Sequence, residues 1–242
     1  MKGIGEKVGY VVSAYGCTHA CNFCSINRIT NNKYLVFSTE MVLKNISFFK
    51  EDVQIIRLVD ANSFGNIKAS RELGLEIIKA KLNKNFIADV RSDTVVENPE
   101  LFGIWKQAGL SKLVIGFEDI HDANLKKLNK KNSRNNNIEA IKILKNLGIK
   151  IIGDFIISPE YEENNFIEIE NFIKEYEIDV PIPTILTPLP GTALFKKLED
   201  KIIIKNLDYY TFTNAVIETN LEQNIFYEYY AALLKKCFSN IK

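Results

Sequence analysis

The chain has 242 residues, 46% of them hydrophobic, which is long enough to bury one sizeable core. Its 31 Lys and Arg residues nearly balance 30 Asp and Glu residues, which gives a formal net charge of +1. Because the charges are interspersed and no apolar run approaches membrane-spanning length, the sequence argues against a nucleic-acid-binding stripe, a membrane-surface helix and a membrane span.

Short apolar segments alternate with amphipathic segments along most of the chain. Segments rich in Val, Ile and Phe are typical of strands that are buried on both faces. We predict such strands at Gly9–Ala14, Ile55–Asp60, Phe86–Val90, Leu113–Phe117, Ile149–Ile157 and Pro183–Leu186. We predict helices between them at Thr39–Lys50, Ala69–Asn83, Pro99–Ala108, Ile138–Leu147, Asn164–Tyr176 and Ala193–Glu199.

This alternation predicts the fold class. Six strand–helix units fit the length, whereas the eight units of a complete barrel would crowd it. We therefore predict an α/β fold, an open parallel (β/α)6 partial TIM barrel with a C-terminal helical extension. The alternation stops after about Lys201, and an amphipathic helix is predicted near Gln223–Phe238. We expect a core at residues 1–200 and an extension at 201–242 that packs on it.

Three cysteines form a CxxxCxxC motif just after the first predicted strand. Cys17, Cys21 and Cys24 can supply three ligands to a [4Fe–4S] cluster, leaving the fourth iron open to a small molecule. A closed zinc site would need a fourth ligand, for which His19 or His121 is the alternative. Three buried thiols without a metal are the other alternative. Clustered cysteines also favour a reducing compartment, and no leader peptide is evident, so we expect a cytoplasmic protein.

The motif, with Phe23 before its last cysteine, resembles the cluster loop of radical S-adenosylmethionine (SAM) enzymes. The resemblance implies a [4Fe–4S] cluster held by the three cysteines, with Phe23 beside the cofactor. It also implies that the open iron binds SAM, and that an electron from the cluster cleaves SAM to a 5′-deoxyadenosyl radical. A low-potential donor such as flavodoxin or ferredoxin would supply that electron.

Polar residues follow the second, third and fourth predicted strands, at the end of a parallel barrel where loops converge. By the resemblance, Asp60 and Asn62 would bind the SAM amino group, Arg91 would pair with its carboxylate, and Glu118 would also contact SAM. Each has a plainer alternative. Asp and Asn are ordinary turn formers, Arg91 could pair with Asp93, and an acid here could cap the next helix.

Longer segments resemble the cobalamin-associated branch of the family, which includes methylases of the hopanoid C-3 type. These segments are DANSFGN, ADVRSDTVVENPELFGIWKQAGL, VIGFED, NKKNS and ILTPLPGTALF. An Asp-x-His-x-x-Gly motif for cobalamin is absent, and only about eight residues precede the first predicted strand. We therefore expect no cobalamin-binding domain. Either cobalamin comes from a separate protein, or the chain uses the adenosyl radical directly.

Three function classes follow. The first is a radical SAM enzyme that abstracts hydrogen from, or methylates, an unactivated carbon of a small or lipid-like substrate. The second is an iron–sulfur electron-transfer protein, which three local cysteines count against, since the only other cysteine is Cys237 in the C-terminal helix. The third is a zinc-stabilised binding module, which would not need polar groups at successive strand ends.

Overall fold

The computed structural model describes residues 6–239. Its strands are β1 Val8–Val11, β2 Ala14–Gly16, β3 Tyr34–Val36, β4 Ile55–Leu58, β5 Asn85–Val90, β6 Leu110–Glu118, β7 Lys150–Ile157 and β8 Val180–Ile185. Its helices are α1 Ile26–Ile29, α2 Thr39–Ser47, α3 Ile67–Ala80, α4 Ser92–Glu97, α5 Pro99–Ala108, α6 Asp122–Lys127, α7 Arg134–Asn146, α8 Glu163–Glu175, α9 Ala193–Leu198 and α10 Gln223–Ser239. Two short 3-10 turns lie at Glu199–Lys201 and Leu207–Tyr209.

Six of the strands form one mostly parallel sheet in the order β1-β4-β5-β6-β7-β8. Strand pairing is parallel between β1 and β4, β4 and β5, β5 and β6, and β7 and β8. The remaining two strands, β2 and β3, form an antiparallel hairpin. The predicted α/β fold with six parallel strands and intervening helices is confirmed.

The chain divides into two compact units. Unit 1 comprises Met1–Thr18, Ile29–Ile115 and Glu139–Ile151, and unit 2 comprises His19–Arg28, Gly116–Ile138 and Ile152–Lys242. The predicted boundary near residue 200 remains a prediction.

An aromatic cluster forms the core of unit 1 beside β5. The Phe64 ring lies 5.0 Å from Phe102 and 5.4 Å from Trp105, and Phe86 meets Trp105 edge-on at 6.0 Å. The indole N–H of Trp105 donates to the Ser70 carbonyl at 3.0 Å, so the one polar atom of this ring is satisfied. Helices α3 and α5 are held together there.

A second aromatic cluster forms the core of unit 2. Phe117 and Phe155 lie 5.5 Å apart, and both meet Phe172 of α8. Helix α10 packs in the same unit, where the Tyr230 hydroxyl donates to the Pro183 carbonyl at 3.1 Å. Cys237 of α10 is buried, and burial raises the pKa of its thiol to about 11. Such a thiol behaves as a small apolar residue.

The predicted strands and longer helices each match an observed element, with ends that differ by a few residues; α5 matches at both ends. The hairpin β2–β3 and the short helices α1, α4 and α6 were missed, because segments this short carry too little periodicity. No helix within residues 6–239 is both long enough and apolar enough to cross a membrane.

Candidate functional site

The cysteine motif lies on an irregular segment between β2 and α1. Cys17 belongs to unit 1, Cys21 and Cys24 belong to unit 2, and each is half-buried, as is Phe23. A turn joins the last two cysteines, since the Cys24 N–H donates to the Cys21 carbonyl at 3.2 Å. Within residues 6–239, no three His, Cys, Asp or Glu side chains converge closely enough to hold a metal ion. The support for a cluster is therefore the spacing of three thiols on one short segment.

Asn22 fixes this turn within unit 2. Its side-chain amide donates to the Lys127 carbonyl at 2.7 Å, and its N–H donates to the Leu128 carbonyl at 3.1 Å. Its own carbonyl accepts from the Leu194 N–H at 2.9 Å. Three hydrogen bonds thus tie the segment between Cys21 and Cys24 to the end of α6 and the start of α9. No pattern in the sequence predicted them.

Asp60 is buried in unit 1, just after β4, and holds the start of β2, the strand that precedes Cys17. Its Oδ1 accepts from the N–H groups of Ser13 and Ala14 at 2.8 and 2.9 Å, and its Oδ2 accepts from the Ser13 hydroxyl at 2.5 Å. A carboxylate that satisfies two backbone donors and a hydroxyl fixes the path of the chain there. Its predicted contact with SAM remains a prediction.

Asn62 is also buried in unit 1, and its side-chain oxygen has no hydrogen-bond partner among the described residues. Its Nδ2 lies 3.5 Å from the Thr18 hydroxyl, but its Oδ1 is buried and accepts no hydrogen bond from any residue between 6 and 239. Its backbone carbonyl accepts from the Tyr34 hydroxyl at 3.0 Å. A buried acceptor left open is costly unless a ligand or water fills it, so this atom fits a ligand's ammonium group.

Arg91 pairs with Asp93 at the end of β5. Its Nε and Nη2 donate to the two Asp93 oxygens at 3.0 and 2.6 Å, and the Arg91 side chain is 6% exposed. This forked pair is the plainer alternative that the sequence offered. The predicted contact between Arg91 and the SAM carboxylate is not tested by this pairing, because Arg91 carries further donors.

A second ion pair of unit 1 joins neighbouring strands. The Arg57 Nη2 of β4 lies 2.5 Å from the Asp89 Oδ2 of β5. Burial raises the pKa of Asp89 to about 6, although Arg57 opposes this shift. The Nη1 of Arg57 is buried and donates to no described residue. This ion pair was not predicted, since single charged residues inside short strands leave no recognisable sequence pattern.

Glu118 lies at the end of β6 in unit 2 and forms a buried ion pair that was not predicted. Its Oε1 lies 2.6 Å from the Lys130 Nζ, and the two side chains are 10% and 7% exposed. The Glu118 backbone is left-handed, with φ of 63°, a conformation that is rare outside glycine. Asn129 and Lys131, on either side of Lys130, are left-handed as well. In the sequence, only the turn-forming residues of the NKKNS segment could have suggested that Lys130 turns back to pair with Glu118.

Gly116 provides the space for this ion pair. A Cβ at Gly116 would lie 2.4 Å from the Glu118 Oε1 and 2.9 Å from the Lys130 Nζ. Any side chain there would therefore displace both charges. The Gly-x-Glu pattern at the end of β6 reflects this packing, because only glycine leaves room for the two charged groups.

Asp119 organises a separate buried network in unit 2. Its Oδ2 accepts from the Tyr161 hydroxyl at 2.6 Å and from the Asn124 amide at 2.9 Å, while its Oδ1 accepts from the His121 N–H at 2.8 Å. The two ring nitrogens of His121 each lie 3.2 Å from a carboxylate, of Asp119 and of Glu168. His121 is thus already engaged as a structural residue, which counts against it as a fourth zinc ligand.

A profile described as the radical SAM superfamily matches residues 11–173, more than half of the chain. The chain belongs to the radical SAM superfamily. Family membership implies a [4Fe–4S] cluster, SAM and a reductant. The half-buried thiols of the cysteine motif are the donor type that iron–sulfur clusters require.

Curated relatives of this radical SAM protein include methyltransferases and cyclases. The chain is 28% identical over 212 residues to the hopanoid C-3 methylase of Methylococcus capsulatus, covering 88% of this chain and 41% of that protein. It is 26% identical over 222 residues to the anaerobic magnesium-protoporphyrin IX monomethyl ester cyclase of Rubrivivax gelatinosus, covering 89% and 39%. The chain spans about two-fifths of the length of these relatives.

Solved structures share the fold. The radical SAM methyltransferase TsrM from Kitasatospora setae superposes with a TM-score of 0.71 at 13% identity, covering 80% of this chain and 39% of that chain. The cobalamin-dependent radical SAM enzyme OxsB gives a TM-score of 0.59 at 18% identity, covering 94% and 35%. At these identities the likeness establishes the fold alone.

Proposed function

We propose that this protein binds a [4Fe–4S] cluster through Cys17, Cys21 and Cys24 and reductively cleaves SAM to a 5′-deoxyadenosyl radical. The radical would abstract a hydrogen atom from an unactivated carbon of the substrate, and that carbon is the one methylated if the reaction is a methylation. The single observation that carries the proposal is the superfamily match over residues 11–173, which includes all three cysteines. When bound, the cluster supplies the electron for cleavage.

The ion pair between Glu118 and Lys130 supports a role in SAM binding. The methionyl part of SAM carries an ammonium and a carboxylate, so an acid and a base side by side match it charge for charge. We propose that Glu118 accepts from the ammonium group and that Lys130 donates to the carboxylate. Arg91 remains a second candidate for the carboxylate.

The unsatisfied oxygen of Asn62 supports a second contact. Asn62 Oδ1 would accept a hydrogen bond from an N–H or O–H group of SAM. This bond would offset the free-energy cost of burying the oxygen without a partner. Asp60, whose oxygens are occupied by Ser13 and Ala14, would position the chain that leads into Cys17. We propose this indirect role for Asp60 beside the predicted contact with SAM, and Phe23 as a neighbour of the cofactor.

Relatives that are methyltransferases favour carbon methylation as the reaction, with a small or lipid-like substrate. If cobalamin takes part, it would come from outside these 242 residues, which contain no Asp-x-His-x-x-Gly motif. A flavodoxin or ferredoxin is the proposed electron donor, and a cytoplasmic location remains a prediction.

The test is anaerobic reconstitution with iron and sulfide, followed by SAM and a strong reductant. We expect 5′-deoxyadenosine from the wild type and none from Cys24→Ala. Cys237→Ala is the matched control, since Cys237 is buried in α10 and should be dispensable for the cluster. Zinc in place of iron and sulfide, or equal product from Cys24→Ala, would overturn the proposal.

A further inference from the structure

Unit 1 contains a cavity at the amino-terminal ends of its parallel strands, which the proposed function does not use. Its volume is about 490 Å³, within the range of about 300–1,000 Å³ that is typical of ligand pockets. Lys7 precedes β1, Asn85 begins β5 and Lys150 begins β7, so these lining residues identify the end of the sheet that the cavity occupies. The unit 1 residues assigned to SAM, such as Asp60 and Arg91, follow the opposite ends of β4 and β5.

The lining of this cavity carries more positive than negative charge. Its charged residues are four lysines and two acids: Lys7, Lys106, Lys112, Lys150, Glu6 and Asp52. Lys7 and Asp52 form an ion pair and neutralise each other. Three lysines and one carboxylate remain, a net charge of +2, whereas the whole chain carries only +1. The positive charge is therefore concentrated at this cavity, where it favours an anionic ligand.

Two of the three remaining lysines lack a counter-charge in the described part of the chain. Lys112 is half-buried on β6, in register with Ile87 of β5, and its ammonium group pairs with no residue between 6 and 239. Lys150 begins β7, the neighbour of β6 in the sheet, and is likewise unpaired within that range. Neighbouring strands lie about 4.8 Å apart, so both ammonium groups can reach one ligand. An anion there would offset the free-energy cost of partly burying Lys112 without a counter-ion.

The third lysine and the uncharged lining residues indicate the class of anion. Lys106 of α5 donates to the Gly148 carbonyl at 2.6 Å, which fixes its ammonium group at the cavity wall. A lysine ammonium is a compact point charge that suits phosphate oxygens. Three such groups on α5, β6 and β7 match a small ligand with several negative charges. Among the described residues the lining includes no aromatic side chain, so it offers no platform for stacking a nucleobase.

We propose that this cavity binds an oligophosphate, whose oxygens accept hydrogen bonds from Lys106, Lys112 and Lys150. Recognition is through the phosphates alone, so the ligand is inorganic oligophosphate or the phosphate tail of a larger molecule. Binding stabilises unit 1, because the ligand ties α5 to the starts of β6 and β7. The site needs neither cluster nor SAM, and its failure would leave the proposed function intact.

The experiment titrates the full chain by calorimetry with inorganic triphosphate, orthophosphate and adenosine triphosphate (ATP), without divalent metal ions. We expect triphosphate to bind at least about tenfold more tightly than orthophosphate, because a single phosphate cannot reach all three lysines. ATP at an affinity equal to that of triphosphate would show that a phosphate tail is accepted, and much weaker ATP binding would identify the inorganic form. ATP binding more than about tenfold tighter than triphosphate would overturn recognition through the phosphates alone.

Charge variants test the cavity residues. Lys112→Gln and Lys150→Gln should each weaken triphosphate binding several-fold, whereas Lys68→Gln, at an exposed position of α3 outside the lining, is the matched control and should not. Glu6→Gln removes the carboxylate that Lys7 does not neutralise, so it should tighten binding several-fold, a gain that partial unfolding cannot produce. Equal affinities for triphosphate and orthophosphate, or unchanged binding in both cavity lysine variants, would overturn the proposal. An affinity in Glu6→Gln no higher than in the wild type would do so as well.

Discussion

Glu118 and Lys130 form an ion pair at 2.6 Å in which both side chains are almost fully buried. They are twelve positions apart in the chain, and the backbone is left-handed at Glu118, Asn129 and Lys131. A buried pair is a poor source of stability by itself, since desolvation offsets the attraction. Its presence beside a glycine that makes room for it supports the SAM-binding role proposed for the two residues.

Lys130→Met should leave the Glu118 carboxylate buried without its counter-charge. We expect the free energy of unfolding to fall by about 3–5 kcal/mol, measured by urea denaturation. SAM affinity, measured by equilibrium dialysis on reconstituted protein, should also fall. Lys142→Met, which removes an exposed pair with Glu139 at 3.6 Å, is the control and should change the free energy by less than about 1 kcal/mol. Equal losses in the two variants would contradict the importance of the buried pair.

Gly116→Ala should be destabilising because the new Cβ would meet the Glu118 Oε1 at 2.4 Å. Overpacking of this kind costs about 1–3 kcal/mol, and we expect a matching fall in thermal midpoint. Gly103→Ala offers the control, since a Cβ there meets nothing within 4 Å and Gly103 lies within α5. That variant should gain about 0.5–1 kcal/mol from helix propensity. A neutral Gly116→Ala would show that the pair can move aside.

Asp60→Ala should strand two buried N–H groups, those of Ser13 and Ala14. Each unsatisfied donor costs about 1–3 kcal/mol, so the free energy of unfolding should fall by about 3 kcal/mol or more. Iron content after reconstitution should fall as well, because the chain that leads into Cys17 loses its anchor. Asp208→Ala, at an exposed turn, should alter neither property. Full iron loading in Asp60→Ala would reject the positioning role.

Asp89 should make stability depend on pH. Its pKa in the folded protein is about 6 against an ordinary value of 3.8, with burial as the main cause. The folded state therefore holds this proton more tightly than the unfolded state, so the group favours folding below pH 4, and this contribution is lost as the pH rises through about 6. The contribution is on the order of 3 kcal/mol.

Denaturation curves between pH 4 and 6.5 check this prediction. Asp89→Asn should remove the decline in stability with rising pH across that window, whatever its effect at a single pH. Asp52 provides a contrast, because its hydrogen bond with Lys7 lowers the pKa of its carboxyl, so its contribution to stability is lost only as the pH falls below the ordinary value of 3.8. The assignment fails if Asp89→Asn keeps the wild-type pH slope.

Local sequence patterns were enough to predict the fold class and the family of this protein. The period of apolar residues predicted six parallel strands and the longer helices, since burial on both sheet faces and helix amphipathicity leave traces over ten or more residues. The spacing of Cys17, Cys21 and Cys24 predicted the family, because ligands on one short segment are already close in sequence. Glu118 lies at a strand end, as the sequence predicted, and its contact with SAM remains a prediction.

Tertiary structure alone decided the partners of these residues. Lys130 beside Glu118, Arg57 beside Asp89 and Asn22 between α6 and α9 depend on backbone turns and strand register, which single-residue patterns do not encode. The cavity among Lys106, Lys112 and Lys150 likewise exists only when separate elements pack. The reason is physical: chemistry that resides in one segment can be read from spacing, whereas contacts between distant segments are set by packing of the whole chain.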